Sequence, residues 1–195
     1  MNKDFMFNKA SLRKEYLAKR KSLTALEQHK LNDLMLIQLQ SLSLPEMETL
    51  LSYVPMEERA EPDTFLFSDY LQFVFPDLKI AYPVTNMETE TMEAFICDEN
   101  TVFEKVDFGL IEPISQQQLE AKSIDAVIVP LLIADQQGFR VGYGKGMYDK
   151  FLEQCRKDVY RIGFSFFEPI EQILDIDKND IPLDVLICPF QTFKF

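Results

Sequence analysis

The 195-residue sequence predicts an α/β fold, a three-layer α/β/α arrangement around a largely parallel central sheet, with a helical segment at the N-terminus. Three observations predict it. Short apolar runs of strand length alternate with segments of helical period along most of the chain. One run, residues 124–133 (IDAVIVPLLI), is apolar almost throughout, as a strand covered on both faces must be. A 47% hydrophobic content with 27% charged residues is that of an ordinary globular protein with a substantial core. The length suits one domain over 1–195, with 1–43 as helices packed on it.

Each element has its own signal. Leu12, Tyr16 and Leu17 recur at helical spacing and predict a helix over 9–21, which places Lys9 and Arg13 on one face. Thr24 and Glu27 have capping-box spacing and open a second helix through about Leu39, ended by Leu44-Pro45. Residues 49–54 form a strand closed by Pro55, and 63–73 a helix with Pro62 near its start. Strands are expected over 78–82 and 92–97, a loop with a turn over 107–113, and a short helix over 115–121. The run 124–133 is the central strand, ending near Pro130, and 135–138 is a turn. A helix over 148–156 and strands over 161–166 and 185–188 complete the pattern, the last two separated by an acidic connection holding Asp175, Asp177 and Asp180.

Charge and composition exclude several functions. The net charge is −12, yet residues 1–21 hold seven Lys or Arg against Asp4 and Glu15. An acidic body argues against nucleic acid as the main partner. The basic stretch is either a solvated helix face or a source of cations for an anionic ligand. No run of apolar residues is long enough for a membrane span or a signal peptide, so a cytoplasmic location is expected, without membrane partners. Cys97, Cys155 and Cys188 lie far apart and suit unpaired, mostly buried thiols.

Four of the six glycines fall within 137–149 (QGFRVGYGKGMYD). Alternate residues without a Cβ let backbone N–H groups approach an anion, and Arg140 and Lys145 add charge. The segment is either a tight turn or a phosphate loop. It is not a Walker loop, because Gly146 follows Lys145, and its G-x-G-x-G spacing is not the dinucleotide fingerprint. His29, in a predicted helix, is the sole histidine, so histidine-based nucleophilic and metal mechanisms have no base or ligand set. What remains suits electrostatic phosphoryl chemistry. Asp149 would either hold Mg²⁺ beside bound phosphates or favour the helix N-terminus; Asp180 is a second candidate ligand or a solvated loop residue.

The run Arg140-x-Gly142-x-Gly144-Lys145-Gly146-x-Tyr148-Asp149 resembles the R-x-G-x-G-x-G-[YF]-Y-D signature of the 5-formyltetrahydrofolate cyclo-ligase family. Three further segments are similar in order and approximate spacing: 9–13 (KASLR), 61–64 (EPDT) and 108–113 (FGLIEP). The resemblance implies ATP- and Mg²⁺-dependent conversion of 5-formyltetrahydrofolate to 5,10-methenyltetrahydrofolate, releasing ADP and phosphate. It implies small-molecule partners and a monomer or weak dimer. By resemblance, Lys9 and Arg13 reach ATP phosphates, and Arg140, Val141, Gly142, Tyr143, Gly144, Lys145, Gly146, Met147 and Tyr148 form the nucleotide loop, with Lys145 and Arg140 catalytic. Val54, Glu61, Tyr143 and Met147 resemble folate-site residues, and Asp149 and Asp180 the metal ligands. Met147 stands where many members carry an aromatic residue, Tyr143 where many carry a basic one, and the loop 55–61 is about two residues longer than usual. A regulator that binds nucleotide or folate in the same pocket without turnover is the alternative.

Overall fold

The computed structural model describes residues 7–114 and 117–195. Its elements in chain order are α1 (Lys9–Lys21), α2 (Ala25–Gln40), β1 (Thr49–Leu51), α3 (Thr64–Val74), β2 (Lys79–Asn86), β3 (Thr91–Cys97), β4 (Val102–Lys105), β5 (Ile111–Ile114), β6 (Gln118–Leu119), β7 (Ala126–Ile128), β8 (Ile133–Ala134), β9 (Arg140–Val141), α4 (Met147–Leu152), β10 (Tyr160–Phe164), β11 (Val185–Ile187) and β12 (Thr192–Lys194). Side chains start the helices where their sequence signals lie. Asn8 caps α1 through the Ser11 amide, Thr24 and Glu27 form the expected capping box of α2, and Asp63 caps α3.

Among the described residues, eight strands form one sheet in the order β12-β11-β10-β7-β1-β2-β3-β6. The middle pairings, β11–β10, β10–β7, β7–β1 and β1–β2, are parallel, whereas β12, β3 and β6 attach antiparallel at the margins. An α/β fold with a largely parallel centre is therefore present. Strand alternation sorts the core into two faces. Leu50, Ala126, Ile128, Val185 and Ile187 pack with Met35 and Leu39 of α2 and Phe67 and Leu71 of α3. Leu51, Val127 and Leu186 pack with Met147, Phe151 and Leu152 of α4.

Several expectations are corrected. The central strand stops at Ile128; Pro130, which has no N–H to give, redirects the chain, and Ile133–Ala134 starts a separate hairpin with Arg140–Val141. The turn at 135–138 is as expected, with the buried Asp135 Oδ1 accepting from the Gln137 and Phe139 amides, each at 3.0 Å. Gly138 sits there at φ 85°, and a Cβ would lie 2.9 Å from the Leu183 carbonyl oxygen. β2 runs on through Pro83 because β1 flanks it only as far as Ala81. Where a loop is expected over 107–113, Ile111–Ile114 pairs with β4, and Pro113 is tolerated in that two-stranded ribbon. Residues 115–116 of the expected short helix lie outside the described residues; its remainder holds β6 instead. The helix over 148–156 is only α4, one residue earlier and much shorter. Cys188 is buried as expected, while Cys97 and Cys155 are partly exposed, and all three are free thiols. No helix among the described residues is long and apolar enough to cross a membrane.

The amino ends of the parallel strands are pinned by carboxylates. Asp125 Oδ2 accepts from the Glu48 and Thr49 amides at 2.7 and 2.8 Å, locking β7 to β1, and Asp184 accepts from the Arg161 amide and Nε at 2.7 Å, locking β11 to β10. The carboxyl ends stay free for other work. Phe67 of α3 stacks on Phe164 of β10 at 3.9 Å between centroids, both fully buried, so this pair joins the helical layer to the sheet. Phe67→Ala should lower unfolding free energy by roughly 3–5 kcal/mol, seen as a reduced urea midpoint with an unchanged slope.

Candidate active site

The carboxyl ends of β1, β2 and β7 open into a cavity of about 660 Å³, lined there by Tyr53, Val54, Pro83, Thr85 and Pro130. The chain leaves β1 towards β2 and later returns to place β7 on the other side of β1. A crevice forms beyond the strand ends at such a reversal, and ligands gather there in open α/β sheets. The glycine segment enters it from the β8–β9 hairpin, not directly from the central strand.

All the site residues named from sequence line this cavity except Val141. Alternation along β9 explains the exception, for Arg140 points towards Asp149 while the Val141 side chain is buried with Leu12, Leu132 and Ile173. Gly144 and Gly146 have φ of 94° and 66°, so the loop needs glycine at both. α1 turns Lys9 and Arg13 onto the same wall. Arg13 Nε donates to the Gly142 carbonyl at 2.9 Å, and its guanidinium lies 3.1 Å from where a Cβ on Gly144 would stand. The basic N-terminal stretch is therefore not merely a solvated face.

The base of the loop is held by a closed ring of bonds. Arg140 donates through Nη2 to Asp149 Oδ1 at 2.9 Å and through Nη1 to the Ile181 carbonyl; Asp149 Oδ1 also accepts from the Ile181 amide at 3.0 Å. This draws the acidic connection onto the loop and brings Asp180, bound to Lys9 Nζ, to the cavity edge. Burial pulls the Arg140 guanidinium below its ordinary value, and Asp149 opposes that. Removing one partner of such a buried pair costs roughly 3–5 kcal/mol, because the other charge is left uncompensated. α4, at six residues, has a weaker dipole than the longer helix expected, so anion attraction rests mainly on the loop and side-chain cations. Lys145 differs from Arg140 in that it is half exposed and, among the described residues, pairs only with Glu90, at 3.4 Å. Water and salt weaken that contact, leaving the amine available to an anion.

Glu61 occupies the other half of the cavity and is buried. Its Oε2 accepts from the Met56 amide at 2.7 Å and its Oε1 from the Tyr143 hydroxyl, so the longer 55–61 loop still brings Glu61 to the glycine segment. Tyr143 uses its hydroxyl to join Glu61 to Arg20. Burial pushes the Tyr143 and Tyr148 hydroxyls far above the ordinary tyrosine value. The Tyr148 hydroxyl is buried without a hydrogen-bond partner among the described residues and belongs to a cavity-lining residue, so it offers a polar atom to a ligand. Met147, Met87, Met92 and Leu110 supply apolar wall suited to a flat heteroaromatic ring.

Three contributors escaped sequence reasoning. Arg20, seven residues beyond Arg13 on the same helical face, is buried beneath the site; that spacing was the available signal. Arg59 lies 4.1 Å over the Tyr143 ring, and its loop position gave no periodic cue. Glu112, within the 108–113 segment, accepts from the Thr85 amide and hydroxyl at 2.9 and 2.5 Å and fixes β5 to the cavity wall. His29 is exposed on α2, away from the cavity, as expected.

Burial raises the Glu61 carboxyl above its ordinary 4.5, against the lowering effects of the Met56 amide, the Tyr143 hydroxyl, Arg20 and Arg59. A raised folded value means that the carboxyl's contribution to stability is fully present below the unfolded value and is lost as pH climbs through the folded one. Glu61→Gln lacks that titration. The melting temperature of the variant minus that of the parent should therefore rise between about pH 4 and about pH 7; a difference constant across that range would contradict a raised Glu61.

Comparisons with known proteins agree with this geometry. A model of the 5-formyltetrahydrofolate cyclo-ligase family matches residues 6–189. The chain is 28% identical over 186 residues to the 5-formyltetrahydrofolate cyclo-ligase of Mycoplasma genitalium, covering 94% of this chain and 99% of that one. It is 26% identical over 182 residues to that of Mycoplasma pneumoniae, covering 92% and 98%. The NMR structure of Aquifex aeolicus 5,10-methenyltetrahydrofolate synthetase superposes with a TM-score of 0.75 at 28% identity, covering 95% of this chain and 92% of that one. With four ordered motifs converging on one cavity and a family model matching nearly end to end, the chain belongs to the 5-formyltetrahydrofolate cyclo-ligase family.

Proposed function

We propose that this chain, acting as one domain, converts 5-formyltetrahydrofolate to 5,10-methenyltetrahydrofolate at the expense of ATP, releasing ADP and phosphate. The observation that carries the reading is that the glycine loop with Arg13 and Lys145, the buried Glu61 carboxyl and the apolar side chains of Met87, Met92 and Met147 line one cavity. The formyl oxygen takes the γ-phosphoryl group of ATP, N10 attacks the activated carbon, and phosphate leaves with the former formyl oxygen. No covalent nucleophile from the protein is required. That agrees with a cavity that has no histidine or cysteine among its lining residues.

In this reading the Gly142–Gly146 loop and Arg13 hold the phosphates, and Lys145 neutralises the charge of the transferring group. Arg140 keeps the loop base and Asp149 in place. Glu61 and the Tyr148 hydroxyl orient the folate ring, with Met147 and Val54 against its faces. Asp149 and Asp180 suit Mg²⁺, which takes one or two carboxylates with phosphate oxygens and water; among the described residues no group of three such ligands forms a cage, so the ion would arrive with the nucleotide. Mg²⁺ would supply charge neutralisation on the phosphate oxygens. A cytoplasmic setting and a monomer or weak dimer go with the reading.

Mixing the protein with Mg-ATP and 5-formyltetrahydrofolate should raise the near-ultraviolet absorbance of the methenyl product. Tight ligand binding with no ATP-dependent rise would instead identify a regulator. Charge-assisted bonds are worth about 1.5–3 kcal/mol, so Lys145→Ala should lower kcat/KM roughly 10- to 150-fold. Its half-exposed side chain makes one weak contact, so the melting temperature should hold; a parallel loss of both would mark the loop as structural.

A further inference from the structure

Arg20 is almost fully buried where four segments of the site meet. Its Nε donates to the Arg59 carbonyl at 2.7 Å, its Nη1 to the Leu131 carbonyl at 3.0 Å, and its Nη2 to the Tyr143 hydroxyl. The same Nη2 lies 3.9 Å from Glu61 Oε1, to which the Tyr143 hydroxyl donates. The guanidinium is a rigid planar fork, so two main-chain carbonyls set its plane and thereby place the third donor. Its helix does not move freely either: Leu12 is buried in the core shared with Leu132 and Ile133, and Tyr16 meets Phe167 edge-on at 5.4 Å. One tyrosine hydroxyl, on the glycine loop, thus has its position dictated from below by Arg20 and donates a hydrogen bond to the Glu61 carboxylate.

We propose that Arg20 is a positioning residue that couples the two halves of the site, through Tyr143, so that occupancy of the glycine loop prepares Glu61 for the folate. The inference rests on the cyclo-ligase reading for the identity of the two ligands. Phosphates on the loop fix the backbone on either side of Tyr143. With Arg20 holding the hydroxyl, the ordered loop leaves Glu61 a fixed donor. The second ligand then meets a carboxylate already in place and loses less conformational entropy on binding. Reciprocity requires folate to improve nucleotide binding by the same factor. Arg59, stacked on the Tyr143 ring, restrains the ring but touches neither oxygen of the relay in the same way; its backbone carbonyl is what Arg20 uses.

The test is calorimetric titration of 5-formyltetrahydrofolate with and without a non-hydrolysable ATP analogue and Mg²⁺, for the parent, Arg20→Met, Arg20→Lys and Tyr143→Phe. In the parent the analogue should tighten folate binding roughly 5-fold or more, the lower end of ordinary coupling between sites. Arg20→Met and Tyr143→Phe should bring that ratio within about twofold of unity, while the analogue alone still binds, because Arg13 and the loop remain. Arg20→Lys keeps the charge without the fork and should recover part of the ratio. A merely structural arginine would lower both affinities and the melting temperature while leaving the ratio intact. Tyr143→Phe keeps the ring beneath Arg59 and decides the matter if Arg20→Met does not fold. Full coupling in Tyr143→Phe, or a parent that binds both ligands without coupling, overturns the inference alone; a parent that binds neither overturns the cyclo-ligase reading and this inference with it.

Discussion

One carboxylate oxygen, Oδ1 of Asp149, accepts from both the Arg140 guanidinium and the Ile181 amide, and the position of the glycine loop depends on it. Arg140 closes the ring by donating to the Ile181 carbonyl. Two segments forty residues apart in sequence are thereby held as one surface, with Asp180 and its partner Lys9 at the rim. Desolvating both charges offsets much of their attraction, so such a pair contributes geometry more than net stability. That matters here because the glycines of the loop, two of them at positive φ, leave its backbone few intrinsic restraints.

The charges of the molecule divide accordingly. Carboxylates at the amino ends of the strands, Asp125 and Asp184, accept from backbone amides of the neighbouring strand, pair with Arg156 and Arg161, and set strand register. At the carboxyl ends, Arg20 and Arg140 are buried and committed to carbonyls and carboxylates, whereas Lys145 remains half exposed with one weak partner. Fixed cations hold the frame and a half-exposed one faces the cavity. An active site that relies on electrostatic preorganisation needs both kinds, since donors that must reorganise during reaction stabilise little. The acidic net charge of the chain conceals this, because Lys9, Arg13 and Lys21 of its cationic stretch line the cavity.

α1, α2 and α3 were legible because their signals are local, namely the spacing of Leu12, Tyr16 and Leu17, the Thr24–Glu27 box, and Pro62 beside the start of α3, whereas α4 starts one residue earlier than its sequence suggests and is much shorter. The buried central strand was legible as an apolar run ending near Pro130, but the rest of that run, Leu131, Leu132 and Ile133, is buried outside this strand, with Ile133 opening the β8–β9 hairpin. β4, β5 and β12 were missed, as their residues gain strand geometry only from partners distant in sequence or from a sheet margin. In the site, the spacing of glycines and charges exposed the loop, Lys9 and Arg13. Arg20, Arg59 and Glu112 depend on tertiary neighbours and emerged only from the structure. Tyr143 was placed at the site from sequence, but its hydroxyl link to Glu61 depends on the tertiary fold.

The proposed reaction carries the terminal phosphoryl group of ATP to the formyl oxygen of the folate, with no covalent step on the protein. Isotopic labelling reaches this most directly. With ¹⁸O in the formyl group of 5-formyltetrahydrofolate, the inorganic phosphate released during turnover with Mg-ATP should carry the label. Methenyl product accompanied by unlabelled phosphate would contradict it, because the phosphoryl group would then have gone to water or to the protein rather than to the folate.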